Sequence, residues 1–241
     1  MAESYSVEAI LSATDKNMSS TFKKALGVCN SFGSQVKSIV AGVGVTKALG
    51  VAMNTVTTSL DGAITRFDTL HSYPKVMNSL GFSTDAAKAS VSKLNASVQG
   101  LPTSLSDIVK SAQSLTSVTG NMDKATDTAI ALNHALLASS ASTADVSRAQ
   151  QQYSQMLATG KPDMQSWRTL QETMAPALTK TAKKLGIASG NTTELYNAMK
   201  SGQITFDQFN AALIECDTEA GGFAETAVSA SKTIRTGFTN I

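Results

Sequence analysis

Charge is scarce in this chain, and so are aromatic rings. Asp, Glu, Lys and Arg make up 16% of the 241 residues, aromatics 5%, and the net charge is +2. Two cysteines, two histidines, four prolines and one tryptophan complete the shortages. A nucleic-acid surface concentrates cations on one face. Here the basic pairs are Lys23-Lys24 and Lys183-Lys184, far apart and of the kind that solvate helix faces, so direct DNA or RNA binding is not expected. Cys29 and Cys216 form neither a disulfide framework nor a metal-ligand spacing, and read as reduced, packed thiols. His71 and His134 have no Cys or His near them at zinc-ligand spacing, and His134, beside Leu132 and Leu136, reads as a half-buried helix residue rather than a catalyst.

Recognisable catalytic signatures are missing as well. No Gly-x-Ser-x-Gly elbow or phosphate-binding glycine loop occurs. Residues 197–208 superficially resemble a calcium loop, with Gly202 and Ile204 in the required places. The ligand positions, however, hold Asn197, Met199, Ser201 and Gln208, too few anionic oxygens for calcium. No residue is assigned as catalytic, cofactor-binding or metal-binding, and no cofactor is expected. The opening MAESYSVEAI lacks the basic and apolar regions of a signal peptide, so synthesis in a cytoplasm is the default.

What the chain has in quantity is small side chains: about 90 residues are Ala, Ser or Thr, well above ordinary usage. Hydrophobic residues reach 42%. Small side chains let helices approach closely but bury little apolar area each. The expected fold is mainly all-α: long Ala/Gly/Ser-rich helix at the N-terminus, then a compact multi-helix domain, with one short N-terminal strand. The strand is read from alternation over Tyr5, Val7, Ala9 and Leu11. Phe22, Leu26, Cys29, Phe32, Val36, Ile39 and Val43 then recur at steps of three and four, a coiled-coil-like seam weakened by Gly27 and Gly33. Lys47 is the one charge between Ser38 and Leu60. The apolar run 39–53 fades into Asn54, Thr55, Thr57 and Thr58 before reaching spanning length, so packing on partner helices is favoured over membrane insertion.

Tyr73-Pro74 reads as punctuation that starts a short helix ending at Gly81. Ser83-Thr84-Asp85 caps a helix reaching Gly100, and Thr103 or Ser104 caps another with the stripe Leu105, Ile108, Val109, Ala112, Leu115 and Val118. Gly120-Asn121 ends it and opens a helix through Met122, Ala125, Ala129, Leu132 and Leu136; a polar joint from Ser140 to Thr143 precedes a helix with Val146, Ala149, Tyr153 and Met156. Joints this short mean antiparallel neighbours. The chain divides into an N-terminal segment 1–73, a globular helical domain 74–215, and the start of a further helix, 216–241.

The stretch from Tyr153 to Ile214 carries an ordered set of stops and starts: Gly160-Lys161, Pro176-Ala177-Leu178, Leu185-Gly186-Ile187 and Gly202-Gln203-Ile204-Thr205. Trp167, Leu170, Met174, Leu178 and Leu185 supply a facing apolar stripe, and Phe206, Phe209 and Leu213 a lid, all read as core. This set, about a quarter of the chain, resembles the signature module of the phage tail tape measure protein family. One departure is Met174-Ala175 before the proline, where a glycine nearby is expected. The resemblance implies a structural, non-enzymatic phage or prophage tail protein, of which this would be the N-terminal part. The ending TIRTGFTNI, with Ile234 and Phe238 in helical register and no stop signal, fits that expectation.

The resemblance further implies a chain that sets tail length inside the tail tube and aids genome passage at infection. Its location would be the virion tail interior, and the host cytoplasm during assembly. Implied partners are other copies of itself, tail tube proteins, tail assembly chaperones and, transiently, a host membrane. The competing reading is a membrane-active helical effector that inserts through residues 39–60.

Overall fold

In a computed structural model of the chain, residues 65–239 are described; they form nine helices and no strand. The strand at Tyr5–Leu11, the seam from Phe22 to Val43, Cys29 and the segment 39–60 lie outside the described residues. The helices are α1 (65–79), α2 (Thr84–Ser97), α3 (Leu105–Thr119), α4 (Met122–Ala138), α5 (Thr143–Thr159), α6 (Met164–Lys184), α7 (Thr192–Ser201), α8 (Phe206–Thr218) and α9 (Phe223–Thr239). Residues Thr69–Ile241 form one compact unit.

The helix starts are set by local chemistry. Ser83, Ser104, Asn121, Ser142, Asp163, Asn191 and Thr205 each sit in extended backbone and accept a hydrogen bond from an amide of the following first turn. Each satisfies a donor that the helix cannot satisfy itself. Thr205 and Gln208 close a full capping box. The stops at Gly160 and Gly202 are left-handed, with φ of 66° and 79°, a conformation in which a Cβ costs roughly 1–2 kcal/mol. Gly222 is fixed for a different reason. A Cβ there would meet the carbonyl oxygens of Asp217, Glu219 and Cys216 at 2.4, 2.6 and 2.7 Å, so this position in the α8–α9 joint admits no side chain.

Two readings of the sequence are corrected. Helix α1 runs through Tyr73-Pro74 instead of starting there; Tyr73 is fully buried and its hydroxyl bonds Ser90. Val118, placed on the buried stripe of α3, is 38% exposed, because the buried face of the helix continues through Leu115 and Thr116 and leaves Val118 at its edge. The stretch before Pro176, where a glycine was expected, is a kink inside α6. Proline offers no N–H to the preceding turn and pushes its neighbour away from helix. Met174 leaves helical geometry at φ −143° and ψ 37°; its φ is negative, so the kink does not call for glycine.

Helix α4 is the axis of the unit. It packs against α2, α3, α5, α6, α8 and α9, and every residue from 128 to 137 is buried. Ala125, Ala129, Ala131 and Ala135 are fully covered, which lets neighbours close in from several sides. Around it, Leu94, Ile108, Leu115, Leu132, Leu136, Met156 and Leu170 fill one continuous core. A second focus is aromatic: Tyr153, Phe206, Phe209, Trp167 and Tyr196 stack edge-on or tilted at centroid distances of 5.3 to 6.2 Å, joining α5, α6, α7 and α8. The lone tryptophan therefore reports on the core.

Truncating Leu136 to alanine should cost about 2–5 kcal/mol, whereas Leu80→Ala, at a site 49% exposed, should stay within about 0.5 kcal/mol. Urea unfolding followed by Trp167 fluorescence gives both values.

Candidate functional site

The most organised chemistry in the unit lies along α4, where four buried polar side chains reach across to other elements. Thr126 returns one bond to the Met122 carbonyl and meets Ser90 at 2.7 Å, and Ser90 meets the Tyr73 hydroxyl at 2.8 Å. That relay ties α1 and α2 to α4. Thr128 pairs with Asn210 on α8, whose Nδ2 donates to Thr128 Oγ1 at 2.9 Å; the Tyr153 hydroxyl donates to Asn210 Oδ1 at 2.6 Å. Burial holds the Tyr153 phenol far above its ordinary range, with the nearby Asp207 charge adding to the effect, so it stays a neutral donor. Asn133 Oδ1 accepts from Thr103 at 2.8 Å, and its Nδ2 is buried without a protein partner.

His134 completes the set. Its Nδ1 lies 2.8 Å from Asp217 Oδ1 and its Nε2 lies 3.2 Å from the Ser97 carbonyl. The residue is 6% exposed, deeper than the half-buried position expected of it. It is a structural ion-pair member linking α2, α4 and α8. Sequence spacing gave no route to Asp217, 83 positions away.

The sequence-singled residues fall where core residues fall. Trp167, Leu170, Met174 and Leu178 are buried on α6, and Leu185 is partly covered. Phe206, Phe209 and Leu213 close over them from α8. Cys216 is a buried free thiol, and burial raises its pKa, which keeps it protonated and unreactive. Segment 197–208 borders a shallow cleft of about 640 Å³ whose one carboxylate, Glu194, already accepts from Ser189. Among the described residues no three of His, Cys, Asp and Glu gather as a metal site.

A larger groove, about 890 Å³, runs between α3 and α5. Leu115, Leu137 and Val146 contribute its apolar parts, while Ser111, Ser114, Ser147, Gln150, Gln151 and Ser154 supply hydroxyls and amides. Asp107 and Lys110 are its charged residues. The two walls have matching ends: Ser104 and Ser142 each cap their helix and bond an aspartate three residues on, and each helix closes on a Thr-Gly step. Nothing in this groove assembles a nucleophile with a base. Its chemistry suits hydrogen bonding to an uncharged surface. Opposite, Lys180 and Lys184 bridge Glu215 and Glu219, and Lys180 lies over the Phe223 ring at 5.5 Å, pinning the α8–α9 joint to α6.

The family model described as tape measure protein matches residues 61–241, which span the whole compact unit. The chain belongs to the tape measure protein family. No curated protein and no solved structure matches it. Membership gives it the role of a phage tail tape measure protein, in a family that is structural. The glycine stops of the resembling stretch are thus parts of a helical tape measure region, closing α5 and α7 as left-handed caps.

Replacing Asn210 with alanine strands the Tyr153 hydroxyl, while Thr128 keeps its bond to the Lys124 carbonyl, and should cost about 1–3 kcal/mol, against about 1 kcal/mol for Tyr153→Phe. The double variant should lose less than the sum, a coupling that a thermodynamic cycle on urea-unfolding data measures.

Proposed function

We propose that this chain acts inside the phage tail, where the protein carrying it sets tail length and aids genome passage at infection. The observation that carries the reading is the family match over 61–241, which takes in the whole of one compact helical unit. Its partners are other copies of itself, tail tube subunits and the assembly chaperones that shield its helices in the host cytoplasm. The part it plays is mechanical, with no turnover of a substrate. No described helix is long and apolar enough to cross a membrane; the apolar run 39–53 lies outside the described residues.

A length-setting protein converts residues into tail. In-frame deletions in the encoding phage gene, outside residues 61–241, should shorten tails by roughly 1.5 Å per residue removed, the rise of an extended helix. Electron microscopy of tails gives the slope. Unchanged tail length across a deletion series would refute the reading.

A further inference from the structure

The connection between α2 and α3, residues 98–104, is held at both ends by two adjacent residues of α4. Before it, the carbonyl of Ser97, the last residue of α2, takes the N–H of His134 Nε2. At its far end Thr103 Oγ1 donates to Asn133 Oδ1. The two clamps differ in kind. Asn133 and Thr103 do not titrate. His134 does, and both groups facing its ring are acceptors: the Ser97 carbonyl always, the Asp217 carboxylate whenever ionised. A neutral imidazole has one N–H and can serve one of them; an imidazolium serves both.

We propose that the α2–α3 connection is a proton-operated latch, closed while both ring nitrogens of His134 carry hydrogen and released at Ser97 when one is lost. The remaining proton stays on the Asp217 side, where the contact is 2.8 Å and charge-assisted, against 3.2 Å to a neutral carbonyl. Asp217 of α8 is the charged group that acts on the ring; those of the other elements packed on α4 do not reach it. An imidazolium is also well placed at the C-terminal end of α2, where the helix dipole is negative and carbonyls lack intrahelical partners. Pro102 and Thr103 of the same connection form one end of the α3–α5 groove, so the latch bears on that groove's shape.

The direction of the effect follows from the ring's surroundings. Burial disfavours the charged form, but the Asp217 hydrogen bond and charge, with the Ser97 carbonyl, outweigh it and raise the His134 pKa above its ordinary value. The clamp is therefore complete below the unfolded value of about 6.5 and is lost as pH rises through the higher folded value. The latch opens on the alkaline side.

The test uses the full chain in two measurements. With only two histidines present, His134 is assigned by comparison with His71→Gln, and its ring resonances are followed against pH. Hydrogen exchange of residues 98–101, corrected for intrinsic rates, is followed across the same range. The expected result is a ring that titrates above about 6.5, with protection of 98–101 falling about tenfold through that titration while α6 is unchanged. His134→Leu, which has no N–H to offer Ser97, should leave 98–101 open at every pH. If that variant fails to fold, as read from Trp167 emission, Asp217→Asn should abolish the alkaline opening, because the neutral ring is then free to keep its proton for Ser97. A ring titrating below its ordinary value, or constant protection of 98–101 while the ring titrates, would overturn the latch.

Discussion

Helix α4 is covered around its circumference by six other helices, and such burial holds only where its side-chain polar groups find partners on those helices. Thr126, Thr128 and His134 meet that condition toward Ser90, Asn210 and Asp217, and Asn133 meets it through its Oδ1, toward Thr103. Apolar burial supplies the drive, while the polar pairs fix which helix lies against which turn. Alanines on the same helix allow the close approach that brings short side chains such as Thr and Ser into contact. A core made from small residues could slide, because it lacks interlocking bulk. Paired hydrogen bonds at defined turns remove that freedom.

The aromatic cluster extends the same logic to the second half of the unit. Tyr153 belongs to both systems: its ring packs on Phe206 and Phe209, and its hydroxyl enters the Asn210–Thr128 pair. Helices α5 to α8, which carry the tape measure resemblance, are thereby registered against α4. The outer surface is held by weaker, solvent-exposed pairs such as Lys184–Glu219. The proton-dependent contact at Ser97 sits between these regimes, at the margin of the buried network.

Element boundaries were legible because caps are local physics. Ser83, Gly120, Asn121, Gly160 and Gly202 act within a turn of where they stand, and each was read correctly. Pro74 misled, since its break signal yields to the burial of Tyr73 within α1. Val118 misled because periodicity marks a face and not how far that face is covered. The all-round burial of α4 did leave a sign, a run free of Asp, Glu, Lys and Arg from 128 to 144. Reading α4 as having one stripe hid it. The partners of Thr128 and His134 lie 82 and 83 positions away, and no local pattern encodes such pairs. Family membership was visible in the ordered glycine and proline stops, whereas the groove between α3 and α5 emerges only once the helices are placed.

Native-state hydrogen exchange resolved along α4 tests most directly whether this helix organises the unit. The account predicts that amides of residues 128–137 are the most protected in the unit and exchange only through global unfolding, with a free energy equal to that from urea denaturation. If these amides exchanged while those of α6 and α8 remained protected, α4 would be a replaceable filler and the account would be wrong.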